Sequence, residues 1–99
     1  MRAWVRKVTA ERPDVLGVGY FGSYARRDWG PGSDLDLLMV VRSDPERFSR
    51  RSARWDTTNL PVPADLLVYT IEEWRGLEPD TRFSRTLSNE TVWVYSKGL

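Results

Sequence analysis

The feature that most constrains this chain is the segment LDLLMVV at positions 35–41, apolar everywhere except at position 36. A short, nearly continuous apolar run of this length fits a central strand covered on both faces. Position 36 is an aspartate, and Asp34 stands two residues before it. Successive side chains of a strand point to opposite faces, so Asp34 and Asp36 project from one face and can converge on one cation. Taken singly, Asp34 can cap a turn and Asp36 can be an edge charge. Followed by LLMVV, however, an isolated carboxylate entering a buried strand is costly unless it is paired or bound to metal.

A central strand needs neighbours, and three other segments read as strands. VLGVGYF, positions 15–21, alternates bulky and small residues. Its Gly17 and Gly19 share a face, where they either admit a helix closely or simply weaken the strand. Leu66 to Tyr69 forms the third strand with Asp65 at its entrance, and TVWVY, positions 91–95, forms the fourth. Asn59 to Pro63 is a loop, because its two prolines forbid a central strand.

Helices are expected between these strands. Residues 2–12 place Trp4 or Val5 one turn from Val8 and end at Pro13. Ser23 to about Asp28 makes one to two turns before the breaker segment WGPGS. Around residue 43, Ser43 or Asp44 can cap, Pro45 suits a first helical position and Glu46 favours the positive end, which predicts a helix to about Trp55. Thr70 and Glu73 make a capping box for a helix carrying Ile71 and Trp74, with Pro79 closing that region. Asp80 can cap a last helix with Phe83 and Leu87 one turn apart.

At 99 residues the chain is one domain, 1–99, with an apolar fraction of 40% that suffices for a core. That length leaves little room for a second lobe. Cysteine and histidine are both absent. Disulfides, thiol nucleophiles, imidazole bases and the usual zinc ligands are thereby excluded, and catalysis must use carboxylates, hydroxyls or metal held by oxygen. Oxygen-only sites favour hard cations such as magnesium. Fifteen basic residues against fourteen acidic ones, a net charge of +1, argue against general affinity for nucleic acid. No long apolar run or signal-type amino terminus is present, so no membrane contact and a cytoplasmic location are expected.

Upstream of the two aspartates, Gly22 permits close backbone approach. Ser23 opens a helix whose first amide groups lack internal partners and carry partial positive charge, so an anion such as a triphosphate fits there. Alone, a Gly-Ser pair is an ordinary strand-to-helix cap. Ten residues separate Ser23 from Asp34, and with that spacing the segment resembles the GS-x10-DxD signature of the nucleotidyltransferase superfamily that includes DNA polymerase beta. Within it, the chain is similar to the minimal nucleotidyltransferases. The superfamily's third carboxylate lies on a later strand, where VPADLLVYT supplies Asp65. Relatives often carry glycine where this chain has Arg27, which places Arg26 or Arg27 either beside the phosphates or in solvent.

The resemblance implies an α/β (α+β) nucleotidyltransferase fold, a small mixed sheet of about four strands with helices mainly on one face. It implies catalysis and metal binding by Asp34, Asp36 and Asp65, two magnesium ions, and ATP as substrate. Gly22 and Ser23 would hold the nucleotide phosphates, with Ser33 adding a second contact. Stand-alone members of this size resemble antitoxins that adenylylate (AMPylate) a tyrosine of a HEPN-type toxin partner. Two other readings stand beside this one, a small-molecule (aminoglycoside-type) nucleotidyltransferase and a non-catalytic toxin-binding module.

Two further features carry no such assignment. Arg47, Arg50, Arg51 and Arg54 fall largely on one helical face, which is either solvated or a docking surface for an acidic partner or RNA. Of the five tryptophans, Trp4, Trp29 and Trp93 lie near chain ends or in a loop, where an interface is conceivable.

Overall fold

The apolar positions of the first ten-residue segment cluster on one side, and in the computed structural model they form helix α1 (Arg2–Glu11), with Trp4, Val5 and Val8 buried. The structure describes residues 2–22, 24, 34–55, 57, 60, 62–77 and 82–97. Strand β1 (Val15–Phe21) follows α1, and β2 (Leu35–Val41) coincides with the apolar run. Helix α2 (Phe48–Arg51) continues as a 3-10 turn, Ser52–Arg54. Strand β3 (Ala64–Thr70), helix α3 (Ile71–Arg75), helix α4 (Arg82–Glu90) and strand β4 (Val92–Ser96) complete the order.

The four strands make one mixed sheet in the order β3-β2-β1-β4. Strand β1 is antiparallel to both β2 and β4, whereas β2 and β3 run parallel. Alternation then divides the core. On one face Leu35, Leu37, Met39 and Val41 of β2 join Leu66 and Val68 of β3 beneath Trp4, Val5 and Val8 of α1. On the other, Phe21, Leu38, Tyr69 and Leu87 form a second cluster with Trp74, Leu77 and Trp93 packed against it. Helices α3 and α4 contribute Trp74 and Leu87 to this second face, and Phe48 of α2 lies 4.9 Å from Tyr69 between ring centroids. Helices thus gather mainly on one face, with α1 opposite, and the architecture is the expected α+β one.

Three details depart from the sequence reading. The helix expected from residue 43 begins only at Phe48. Asp44 instead accepts the Glu46 amide at 2.9 Å, a local turn that competes with a helical start. The Glu46 carbonyl is taken at 2.8 Å by the Arg51 guanidinium, so the carbonyl that would feed an earlier helical turn serves a side chain. Close approach to Gly19 is made by a strand rather than a helix, because a Cβ there would meet the Val92 carbonyl and Thr91. Arg51 leaves the solvated stripe altogether and is 6% exposed, while Arg47 and Arg50 are exposed.

Other readings meet the structure directly or lie outside it. The capping box is present, with Glu73 N–H donating to Thr70 Oγ1 at 3.2 Å and Thr70 N–H donating to the Glu73 carboxylate at 2.9 Å. Trp4 belongs to the core, and Trp93 packs edge-on against Trp74 at 5.6 Å between centroids. The Asp80 cap, Trp29 and most of the expected 23–28 helix fall outside the described residues, although Tyr24 is helical. Among the described residues no helix is long and apolar enough to cross a membrane.

Candidate functional site

Parallel pairing of β2 with β3 sets Asp36 opposite Asp65 in register. Paired residues on neighbouring strands share a face, about 4.8 Å apart along the hydrogen-bonding direction, so the two carboxylates stand side by side. Antiparallel pairing with β1 puts Phe21 opposite Asp36 in the same row. A row therefore runs across the sheet from the end of β1 through Asp36 to Asp65. Like charges directly opposite one another are destabilising in a sheet, and a cation between them removes that cost.

Gly22 follows Phe21 with φ +74°, a conformation that a side chain makes costly. A Cβ built on Gly22 would overlap the Asp36 carboxylate. Only glycine therefore lets the backbone come this close to the carboxylate.

Both aspartates line a cavity of about 570 Å³. Phe21 and Leu67 also line it, together with Ser52 and Ala53 of the 3-10 turn and Thr57. Asp65 is exposed and Asp36 is partly buried, as suits groups that open into a cavity rather than into the core. Asp34 is exposed at the entrance to β2, whose first residue donates from Leu35 N–H to the Pro63 carbonyl at 2.8 Å.

The sequence-predicted residues thus divide into three groups. Gly22, Asp36 and Asp65 are brought together. Asp34 stands beside them along the chain, but among the described residues no group of three acidic side chains is gathered closely enough to hold one metal ion. Ser23 and Ser33 lie outside the described residues. Ser52, Ala53 and Thr57 were not singled out from sequence, because nothing in SARWDTT marks them until the 3-10 turn carries them to the edge of β3.

Oxygen is the only donor type here, from two adjacent carboxylates beside a glycine cradle. That set fits a hard divalent cation such as magnesium. Softer ions are disfavoured by a chain with no histidine or cysteine.

Charges of the opposite kind occupy the other end of the same strands. Arg51 donates to the Val68 carbonyl at 3.2 Å and to both Glu73 carboxylate oxygens, at 2.5 and 3.2 Å. The hydrogen bond from Arg51 holds the Glu73 carboxyl below its ordinary value, with the Thr70 amide assisting. Burial, and then the Glu73 charge, push the Tyr69 phenol upward. This cluster is internally satisfied.

Residues 2–94 match the family profile described as the nucleotidyltransferase domain. No curated protein matches the sequence. Among solved structures, a Sulfolobus solfataricus protein assigned as a nucleotidyltransferase superposes with TM-score 0.64 at 23% identity, covering 96% of this chain and 76% of that one. A toxin-antitoxin complex with AMP-PNP superposes with TM-score 0.63 at 12% identity, covering 98% and 74%. The toxin-antitoxin MntA-HpeT, in a mutant form, gives 0.60 at 10% identity, covering 99% and 75%. At these identities the likeness is one of fold.

Proposed function

Because this chain belongs to the nucleotidyltransferase domain family, we propose that it transfers AMP from ATP to a tyrosine hydroxyl of a helical HEPN-type toxin, and so acts as the antitoxin of that pair. The observation that carries the reading is the row formed by Gly22, Asp36 and Asp65: a backbone cradle against one carboxylate, and a second carboxylate in register beside it. Fold likeness to two toxin-antitoxin structures, one with AMP-PNP, supports the choice of nucleotide and partner.

In this reading Asp36 and Asp65, with Asp34 adjacent, hold magnesium. Bound there, the metal neutralises the triphosphate and stabilises the charge that develops during displacement. Gly22 lets the phosphates approach the backbone, and Ser23 donates to the terminal phosphates, with Ser33 as a second contact. Asp65 accepts the proton of the acceptor hydroxyl, a task that falls to a carboxylate in a chain without histidine. The acceptor oxygen then bonds to the α-phosphorus, the bond to the bridging oxygen breaks, and pyrophosphate leaves with that electron pair.

Incubation of the protein with α-labelled ATP, magnesium and a candidate HEPN-type helical protein tests this. Label on that candidate partner, located to a tyrosine, is the expected result. Label on an aminoglycoside offered in its place would replace the reading with small-molecule transfer. A stable complex without label would leave a binding module.

A further inference from the structure

Strand β3 is an edge of the sheet, and the segment after α2 straddles it. On one side, Ser52, Ala53 and Thr57 line the cavity with Asp65 and Leu67. Leu67 packs on the second core cluster, and by alternation Asp65 shares its sheet face. On the other side, Trp55, Leu60 and Val62 pack into the first cluster, where α1 lies.

Two backbone hydrogen bonds join these sides. Trp55 N–H donates to the Ser52 carbonyl at 3.1 Å, and Leu60 N–H donates to the Thr57 carbonyl at 3.1 Å. Each wall residue that carries a hydroxyl is therefore tied, three positions on, to a residue seated in the opposite core. Leu60 is buried, whereas Trp55 is only partly so and takes support from α1. The Arg12 guanidinium lies 4.5 Å from the centre of its ring, an attractive placement for a cation. Arg12 is itself fixed, since its N–H donates to the Val8 carbonyl at 2.9 Å and its guanidinium donates to both Asp14 carboxylate oxygens, at 3.2 and 3.3 Å.

We infer that Trp55, braced by Arg12, is a positioning residue for nucleotide binding: it fixes Ser52, Ala53 and Thr57 as the wall that meets the nucleoside part of a magnesium nucleotide. This assignment rests on the nucleotidyl-transfer reading given above. A nucleotide held by its phosphates and cation at Gly22, Asp36 and Asp65 carries its nucleoside into the rest of the same cavity. Ser52 and Thr57 offer hydroxyls that both donate and accept, as the hydroxyls of a ribose do. A wall ordered in advance spares the ligand the cost of ordering it, and the anchors supply that order from the far side of the sheet.

Amide shifts of the isotope-labelled protein, titrated with magnesium and the non-hydrolysable analogue AMP-CPP, test this without turnover. Saturable shifts are expected at Ser52, Ala53 and Thr57 as well as at Gly22 and Asp36. Trp55→Ala should weaken binding about fivefold or more per folded molecule, diminishing the shifts at Ser52 and Thr57 and keeping those at Gly22 and Asp36. Trp55→Phe keeps a ring beneath Arg12 and should restore affinity to within about twofold of wild type. Thr57→Val should cost about threefold in the otherwise native chain and nothing further in Trp55→Ala, because a contact already lost cannot be lost again. Trp55→Leu, which keeps an apolar anchor, takes the place of the alanine variant should that one not fold, with the same coupling to Thr57 expected.

The assignment is overturned if AMP-CPP shifts Gly22 and Asp36 but none of the three wall residues. It is equally overturned if the Trp55 and Thr57 variants lose affinity independently of one another, or if the Trp55 variants lose urea stability alone and bind AMP-CPP as wild type does. Absence of any AMP-CPP response in the wild-type protein would remove the nucleotide reading and this assignment with it, a result distinguishable from failure of the wall alone.

Discussion

Both ends of the parallel pair β2 and β3 carry charge, and the two ends treat it differently. At the far end, Arg51 finds its counter-charge within the chain. Its guanidinium is held by Glu73, by the Val68 carbonyl and by the Glu46 carbonyl, and Glu73 also closes the α3 capping box. At the near end, Asp36 and Asp65 are of one sign, in register, and face a cavity beside Gly22. A charge answered by its own chain ties elements together. Two like charges set side by side at a cavity mouth suit a ligand of opposite sign.

The sharpest way to break this contrast is Asp36→Asn. It keeps the side-chain volume and removes a ligand charge, so label transfer should fall by about a thousandfold, several kcal/mol of transition-state stabilisation. Asparagine keeps the shape and most of the hydrogen-bonding capacity, so urea stability of the nucleotide-free protein should stay within about 1 kcal/mol of wild type. Near-normal transfer by this variant would remove the catalytic reading of the near end.

The converse substitution is Arg51→Met at the far end. Buried groups left without their partner are costly, but Glu73 is 42% exposed and water can serve it. A loss of about 2–3 kcal/mol in urea unfolding is expected, with the dissociation constant for magnesium ATP within about twofold of wild type. Loss of nucleotide affinity equal to the loss of stability would erase the distinction between the ends.

Gly22→Ala should mix the two behaviours. The left-handed φ costs about 1–2 kcal/mol in stability for a residue with Cβ. The added methyl also displaces the Asp36 carboxylate, so transfer should fall together with the unfolding midpoint. Transfer unaffected at constant folded fraction would mean that the cradle holds no phosphate.

The smallest effect concerns pH. Glu73 is held below its ordinary value of 4.5, so its contribution is complete above that pH and is lost as pH falls through the lower folded value. Partial exposure screens the pair, which limits the change to less than about 1 kcal/mol. Arg51 adds nothing in this window, because its guanidinium stays protonated in both states. Unfolding of wild type and Glu73→Gln across pH 3–6 should show the wild type losing stability more steeply below 4.5, and parallel curves would count against the ion pair.

Much of this molecule was legible before folding was considered. The seven-residue apolar run became β2 at its predicted boundaries, and the alternating segment before Gly22 became β1. The Thr70 and Glu73 box formed as written. These are local devices whose partners lie within a few residues. The helix expected from residue 43 starts late, at Phe48, for a reason that is only partly local: beside the Asp44 turn, Arg51 claims the Glu46 carbonyl while anchored to Glu73, 22 residues further along the chain.

The site shows the same boundary. The amino-acid order alone singled out Gly22 and Asp36, because spacing along a strand and the freedom of glycine are properties of a short stretch of chain, whereas Asp65 was singled out through the family resemblance. Only the tertiary structure decided that β3 lies parallel beside β2, that Asp65 falls opposite Asp36, and that a 3-10 turn faces them across a cavity. Strand neighbours and register are chosen by long-range pairing and by the burial of whole faces, and periodicity within one segment carries no record of that choice.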